Sequence, residues 1–60
     1  MKLKKLLPHI NENQFVLVVI TDHVEYQMTP SYIVTAAPQF LKKKVQKIYV
    51  YENQLYIEVY

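Results

Sequence analysis

Residues 45–60 read VQKIYVYENQLYIEVY, and the fold turns on how these sixteen positions pair. Two β-forming runs, 45–51 and 55–60, flank Glu52-Asn53-Gln54. A two-residue loop at Glu52-Asn53 sets Val50 opposite Leu55 and Ile48 opposite Ile57 on one face. The other face then pairs Tyr49 with Tyr56 and Lys47 with Glu58. A three-residue loop would set Ile48 against Glu58 and mix the faces. Aromatic and opposite-charge cross-strand pairs contribute about 0.2–1 kcal/mol each, which favours the two-residue register. Asn53 tolerates the positive φ such a turn needs, in a chain that has no glycine. This register predicts Ile48, Val50, Leu55 and Ile57 on a buried, helix-facing side.

Upstream, Pro38 opens a short helix through Lys44, with Phe40 and Leu41 inward and Lys42, Lys43 and Lys44 in water. Residues 29–37 carry two competing signals. Thr29 as N-cap before Pro30 reads as a helix start, whereas Tyr32-Ile33-Val34-Thr35 reads as strand; an extended or irregular crossover is expected. Residues 15–20, FVLVVI, are continuously apolar, as in a strand covered on both faces. Residues 24–28 alternate and complete a first hairpin. With a loop at Thr21-Asp22, Val19 faces Val24, Leu17 faces Tyr26 and Phe15 faces Met28; a loop at Asp22-His23 keeps the same parity. Val16, Val18 and Ile20 then point to the opposite face. Near the start, Leu3, Leu6, Leu7 and Ile10 share one helical face, and Pro8 ends or kinks that helix near Leu7. The predicted fold is α+β: one small domain over residues 1–60, a four-stranded antiparallel sheet of two hairpins, and two short helices on one face.

Composition narrows function by exclusion. Without glycine there is no phosphate-binding glycine loop, dinucleotide fingerprint or nucleophile elbow, and without cysteine no disulfide, thiolate metal ligand or thiol nucleophile. Seven basic residues, all lysine, oppose Glu12, Asp22, Glu25, Glu52 and Glu58, for a net charge of +2. That falls short of the strongly basic face of a nucleic-acid binder, and arginine, the better fork for phosphates and base edges, is absent. The opening KLKKLL stretch is cut short by Pro8 and the polar residues after it, so it does not extend into a signal sequence, and no apolar run approaches the ~20 residues of a membrane span. A cytoplasmic, soluble protein is expected.

Chemistry-bearing clusters are sparse. Asp22, His23 and Glu25 are close in sequence, but His9 has no spacing that would join them in a metal site, and a solvated hairpin turn accounts for them. Ser31 is the only serine and belongs to no catalytic motif. No enzymatic activity, metal or cofactor is therefore expected. The six tyrosines, by contrast, are a tenth of the chain. Tyr49, Tyr51 and Tyr56, placed beside Val16, Val18 and Ile20, would make one apolar sheet face, and such patches mark protein contacts. That face is the candidate protein interface. It also suggests a homodimer, since a second copy is the simplest cover for it. The alternative is a nucleic-acid-binding or regulatory module that uses Lys42, Lys43, Lys44 and Lys47 with stacking tyrosines.

The amphipathic start KLKKLLPHI, the apolar strand QFVLVVI and the segment APQFLKKKVQKIYVYENQLYIEV together resemble short uncharacterised proteins of phages and integrated mobile elements of Gram-positive bacteria. The chain departs from them in lacking turn glycines and acidic loops and in carrying Pro8. The resemblance implies a phage-encoded protein acting in the host cytoplasm, binding and inhibiting or redirecting a host protein, defence systems included; it implies no catalytic residues. From the charge alone, tight binding to duplex DNA at physiological salt is not expected. A gel shift should show none, and nanomolar, salt-sensitive binding would reverse that expectation.

Overall fold

The computed structural model describes residues 1–21 and 24–60, with the side chains of residues 21–25 outside that description. Helix α1 (Leu3–Leu6) runs into a 3-10 turn at Leu7–His9, as the position of Pro8 requires. Strands β1 (Val16–Thr21) and β2 (Val24–Met28) follow, then helix α2 (Pro30–Ala36) and a 3-10 segment at Pro38–Lys42. Strands β3 (Val45–Tyr51) and β4 (Gln54–Val59) complete the chain.

The sheet is mixed rather than purely antiparallel. Its strand order is β2-β1-β4-β3, with both hairpins antiparallel and the central pair, β1 and β4, parallel. The connection between the hairpins accounts for this. With β1 and β4 parallel, β2 ends at one end of the sheet and β3 begins at the other, so residues 29–44 must travel the full strand length. That distance is about 20 Å for a six-residue strand. A seven-residue α-helix rises about 10 Å, and the 3-10 segment supplies the remainder.

An extended crossover over 29–37 is thereby corrected: residues 30–36 are helical. The cap decides it. The Thr29 hydroxyl accepts a hydrogen bond from the Tyr32 N–H at 3.1 Å, and Pro30 sits at the first helical position, where its missing N–H costs nothing. The β-branched run Ile33-Val34-Thr35 is carried along because Ile33 is fully buried, and burial outweighs a few tenths of a kcal/mol of propensity.

Two one-residue bulges set the faces. In the first hairpin Val19 pairs with Glu25 but Thr21 pairs with Val24, so Ile20 is the extra residue. Beyond it the register is Val18↔Tyr26 and Val16↔Met28, one residue away from the expected pairing. A slip of one residue exchanges the faces of a strand. Val16 and Val18, expected on an open face, are therefore in the core at 1% and 0% exposure, and Ile20 is half-buried against it. In the second hairpin the expected register holds, with Val50↔Leu55, Ile48↔Ile57, Tyr49↔Tyr56 and Lys47↔Glu58. Gln46 is the extra residue there, and it turns Val45 to pair with Val59 against the core.

The core unites Leu3, Leu7, Ile33, Ala37 and Phe40 with Val16, Val18, Met28, Ile57 and Val59. Burial of Ile48 and Val50 is the remaining correction. They share a face with Ile57 and Leu55 but remain 46% and 70% exposed, because β3 is an edge strand that the covering residues do not reach.

The β3–β4 turn places both Glu52 (φ 51°) and Asn53 (φ 64°) in the left-handed region. Asparagine accepts this conformation readily, whereas glutamate incurs about 1–2 kcal/mol. Replacing the pair with Asn-Gly (Glu52→Asn with Asn53→Gly) should stabilise the domain by about 1 kcal/mol, raising Tm by roughly 4–8 °C. A calorimetric scan showing no rise would mean the turn is not strained.

Candidate functional site

Opposite the core, the alternation of β1 and β4 carries Leu17, Val19 and Tyr56 to a second sheet face. Leu17 pairs with Tyr56 and Val19 with Glu58 across the parallel ladder, and Tyr56 pairs onward with Tyr49. Val19 is 7% exposed yet lies outside the main core cluster, so its neighbours on this second face bury it. Phe15, immediately before β1 and two residues from Leu17, is largely exposed.

The tyrosines form a connected array. The rings of Tyr49 and Tyr56 stack with centroids 5.0 Å apart and planes 3° from parallel. Tyr51 meets Tyr56 edge-on at 6.3 Å, and the Lys47 ammonium sits over the Tyr49 ring at 5.2 Å. This follows from register: Tyr49 and Tyr56 are directly opposed, Tyr51 lies diagonally across, and Lys47 is two residues from Tyr49 on the same face. Tyr49 and Tyr56 are half-buried in the array, whereas Tyr51 is mostly exposed.

Of the expected interface residues, Tyr49, Tyr51 and Tyr56 are therefore on one face, but Val16, Val18 and Ile20 are not beside them. Leu17 and Val19 take their place. No sequence signal could have shown this, because FVLVVI is apolar at every position and the bulge carries no glycine to mark it.

The lysine run also divides. Lys47 joins the tyrosines, whereas Lys44 lies with Lys2, Lys4, Lys5 and Met1 around a surface hollow of about 400 Å³. A backbone bridge between Lys2 and Lys44 brings them together. Lys42 and Lys43 do not line it. A second hollow, of about 260 Å³, is lined by Leu7, Pro8, Glu12, Pro30, Ser31, Val34 and Thr35. Its one ionisable group is Glu12, and no histidine or lysine joins Ser31 in its lining. Asp22 and His23 lie outside the described residues, and among the described residues no three His, Asp or Glu side chains converge as metal ligands. No described helix is long and apolar enough to cross a membrane.

Comparisons with protein-family models, curated proteins and solved structures find no match for this chain.

Stacked aromatic pairs contribute about 0.5–1.5 kcal/mol beyond the area they bury. A double-mutant cycle of Tyr49→Ala and Tyr56→Ala in urea denaturation should return a coupling energy in that range. Simple additivity would mean that the stacked geometry contributes nothing.

Proposed function

We propose that this chain is a small, non-enzymatic protein-binding module that docks another protein on the tyrosine-bearing face of its sheet. On this reading the helical segments lie together over the core face and leave the second face for a partner. The observation that carries it is the composition of that face. Half-buried Leu17 lies beside Tyr49, Tyr51 and Tyr56, next to the buried Val19, with the polar side chains of Gln27, Lys47 and Gln54 around them. An apolar and aromatic centre within a polar rim is the usual anatomy of a protein contact. The resemblance to short phage and mobile-element proteins makes a host protein the natural partner. The expected effect is inhibition or redirection of that protein, a defence component among the candidates, in the host cytoplasm.

The nucleic-acid reading has one observation in its favour: Lys44 gathers with Lys2, Lys4 and Lys5, and none of the four is ion-paired among the described residues. The tyrosine geometry weighs against it. Bases stack on free ring faces, but Tyr49 already has Tyr56 stacked against it and Lys47 over it. Protein contact, which uses ring edges and hydroxyls as well as faces, suits the array better.

The two readings separate in one experiment. The tagged chain should retain a partner protein from Gram-positive host lysate through a high-salt wash, and Phe15→Asp and Tyr56→Ser should lose it. Retention of a nucleic acid that washes off steeply with salt, or a captured protein indifferent to both substitutions, would overturn the proposal.

A further inference from the structure

Strand β3 is an edge of the sheet, yet it lacks most of the features that blunt edges. It has no proline, and its one charged residue is Lys47. Its apolar side chains are exposed on both faces: Ile48 (46%) and Val50 (70%) on the core side, Tyr51 (59%) on the other.

Part of this edge is already occupied. The Leu3 N–H donates to the Lys43 carbonyl at 2.8 Å, and the Val45 N–H donates to the Met1 carbonyl at 2.7 Å. Residues 1–3 thus act as a short strand beside the start of β3, and beyond Gln46 nothing described continues it. The open part is residues 47–51.

The direction of its backbone groups follows from the hairpin. A two-residue turn closes on the Tyr51–Gln54 pair, so Tyr51, Tyr49 and Lys47 direct their N–H and C=O groups toward β4. By alternation, those of Ile48 and Val50 point away from the sheet.

We infer that this chain forms a homodimer by antiparallel pairing of its β3 edges about a two-fold axis at Tyr49, giving one continuous eight-stranded sheet. In that register Ile48 lies opposite Val50 of the second copy, and each such pair exchanges two backbone hydrogen bonds. Four outward groups on each copy are satisfied together. Exposed aliphatics meet exposed aliphatics on one face. On the other, Lys47 lies across from Tyr51 of the second copy, the same cation–ring chemistry it already makes with Tyr49. The two Lys47 side chains are roughly 13 Å apart along the strands, beyond the ~8 Å screening length at physiological salt, so they do not repel strongly. An axis at Ile48 would instead set Val50 opposite Gln46, the bulge residue next to Val45, whose N–H residue 1 already holds.

This self-complementarity favours a second copy over a foreign strand. The contact is small. A standard interface takes roughly 800 Å² per partner, about a fifth of this chain's 4338 Å². The edge offers less, so assembly belongs in the micromolar range rather than the nanomolar. It does not depend on the tyrosine-face reading, and its failure would leave that reading intact.

Sedimentation velocity from micromolar to millimolar chain should show the mass rising from 7.2 kDa toward twice that value. Val50→Pro removes an N–H that the monomer's own sheet does not use and should weaken dimerisation about tenfold or more. Its far-UV circular dichroism should match the parent chain, and Phe15→Asp, on the other face, should still dimerise. Should Val50→Pro misfold, two measurements replace it: loss of the dimer in Val50→Lys, and concentration-dependent slowing of Ile48 and Val50 amide exchange in the parent chain. A 7.2 kDa species at every concentration, or a dimer that survives Val50→Pro and is lost on Phe15→Asp, would overturn the inference. So would a monomer that captures an extended peptide along this edge.

Discussion

Val18 and Ile57 lie side by side in the parallel β1–β4 ladder, and neither has any exposed surface. Fully burying such a side chain contributes roughly 1.5–3 kcal/mol, a large share of the 5–15 kcal/mol that holds a small domain together. The rest of the architecture follows from keeping this pair parallel. Parallel central strands oblige the chain between the hairpins to cross from one end of the sheet to the other. The crossing segment brings Ile33, Ala37 and Phe40 onto the aliphatic layer. The amino-terminal residues close the same core with Leu3 and Leu7, tied down through the backbone of Lys43 and Val45.

Two single-residue insertions then decide what each face presents. Ile20 shifts β1 so that Val16 and Val18 turn inward and Leu17 and Val19 turn to the tyrosines. Gln46 shifts β3 so that Val45 turns inward while Lys47, Tyr49 and Tyr51 remain on the second face. The device that fills the core therefore also assembles the apolar and aromatic surface opposite it. Core and candidate interface are two consequences of one pleat.

Two apolar patches stay open among the described residues. A chain of this length buries only about 60% of what it exposes when unfolded, and the shortfall here is concentrated. One part is the aromatic face around Tyr51; the other is the outer edge of β3, where Ile48 and Val50 lie beyond the covering residues. The two adjoin along β3 but differ in chemistry. A flat aromatic face fits the side chains of another protein, whereas a bare strand edge fits another strand.

Much of the local structure was legible in the sequence. The second hairpin's register, its turn and the Tyr49–Tyr56 and Lys47–Glu58 pairs follow from alternation and cross-strand chemistry within sixteen contiguous residues. The inward Leu3 and Leu7 and the end of α1 just before Pro8 likewise follow from local spacing, although Ile10 is extended and lies outside the helix. Local signals were ambiguous over residues 29–37, where an N-cap and β-branched side chains disagree, and the burial of Ile33 resolved them. Three features belong to the tertiary structure alone. The parallel pairing of β1 with β4 depends on how two distant hairpins meet, and no residue pattern within either encodes that. The face presented by β1 depends on a bulge in a run apolar at every position, where either parity satisfies the hydrophobic pattern equally well. The gathering of Lys44 with Lys2, Lys4 and Lys5 depends on a backbone bridge between residues more than forty positions apart. Sequence determines what each strand can bury; only the assembled sheet determines which side is left open.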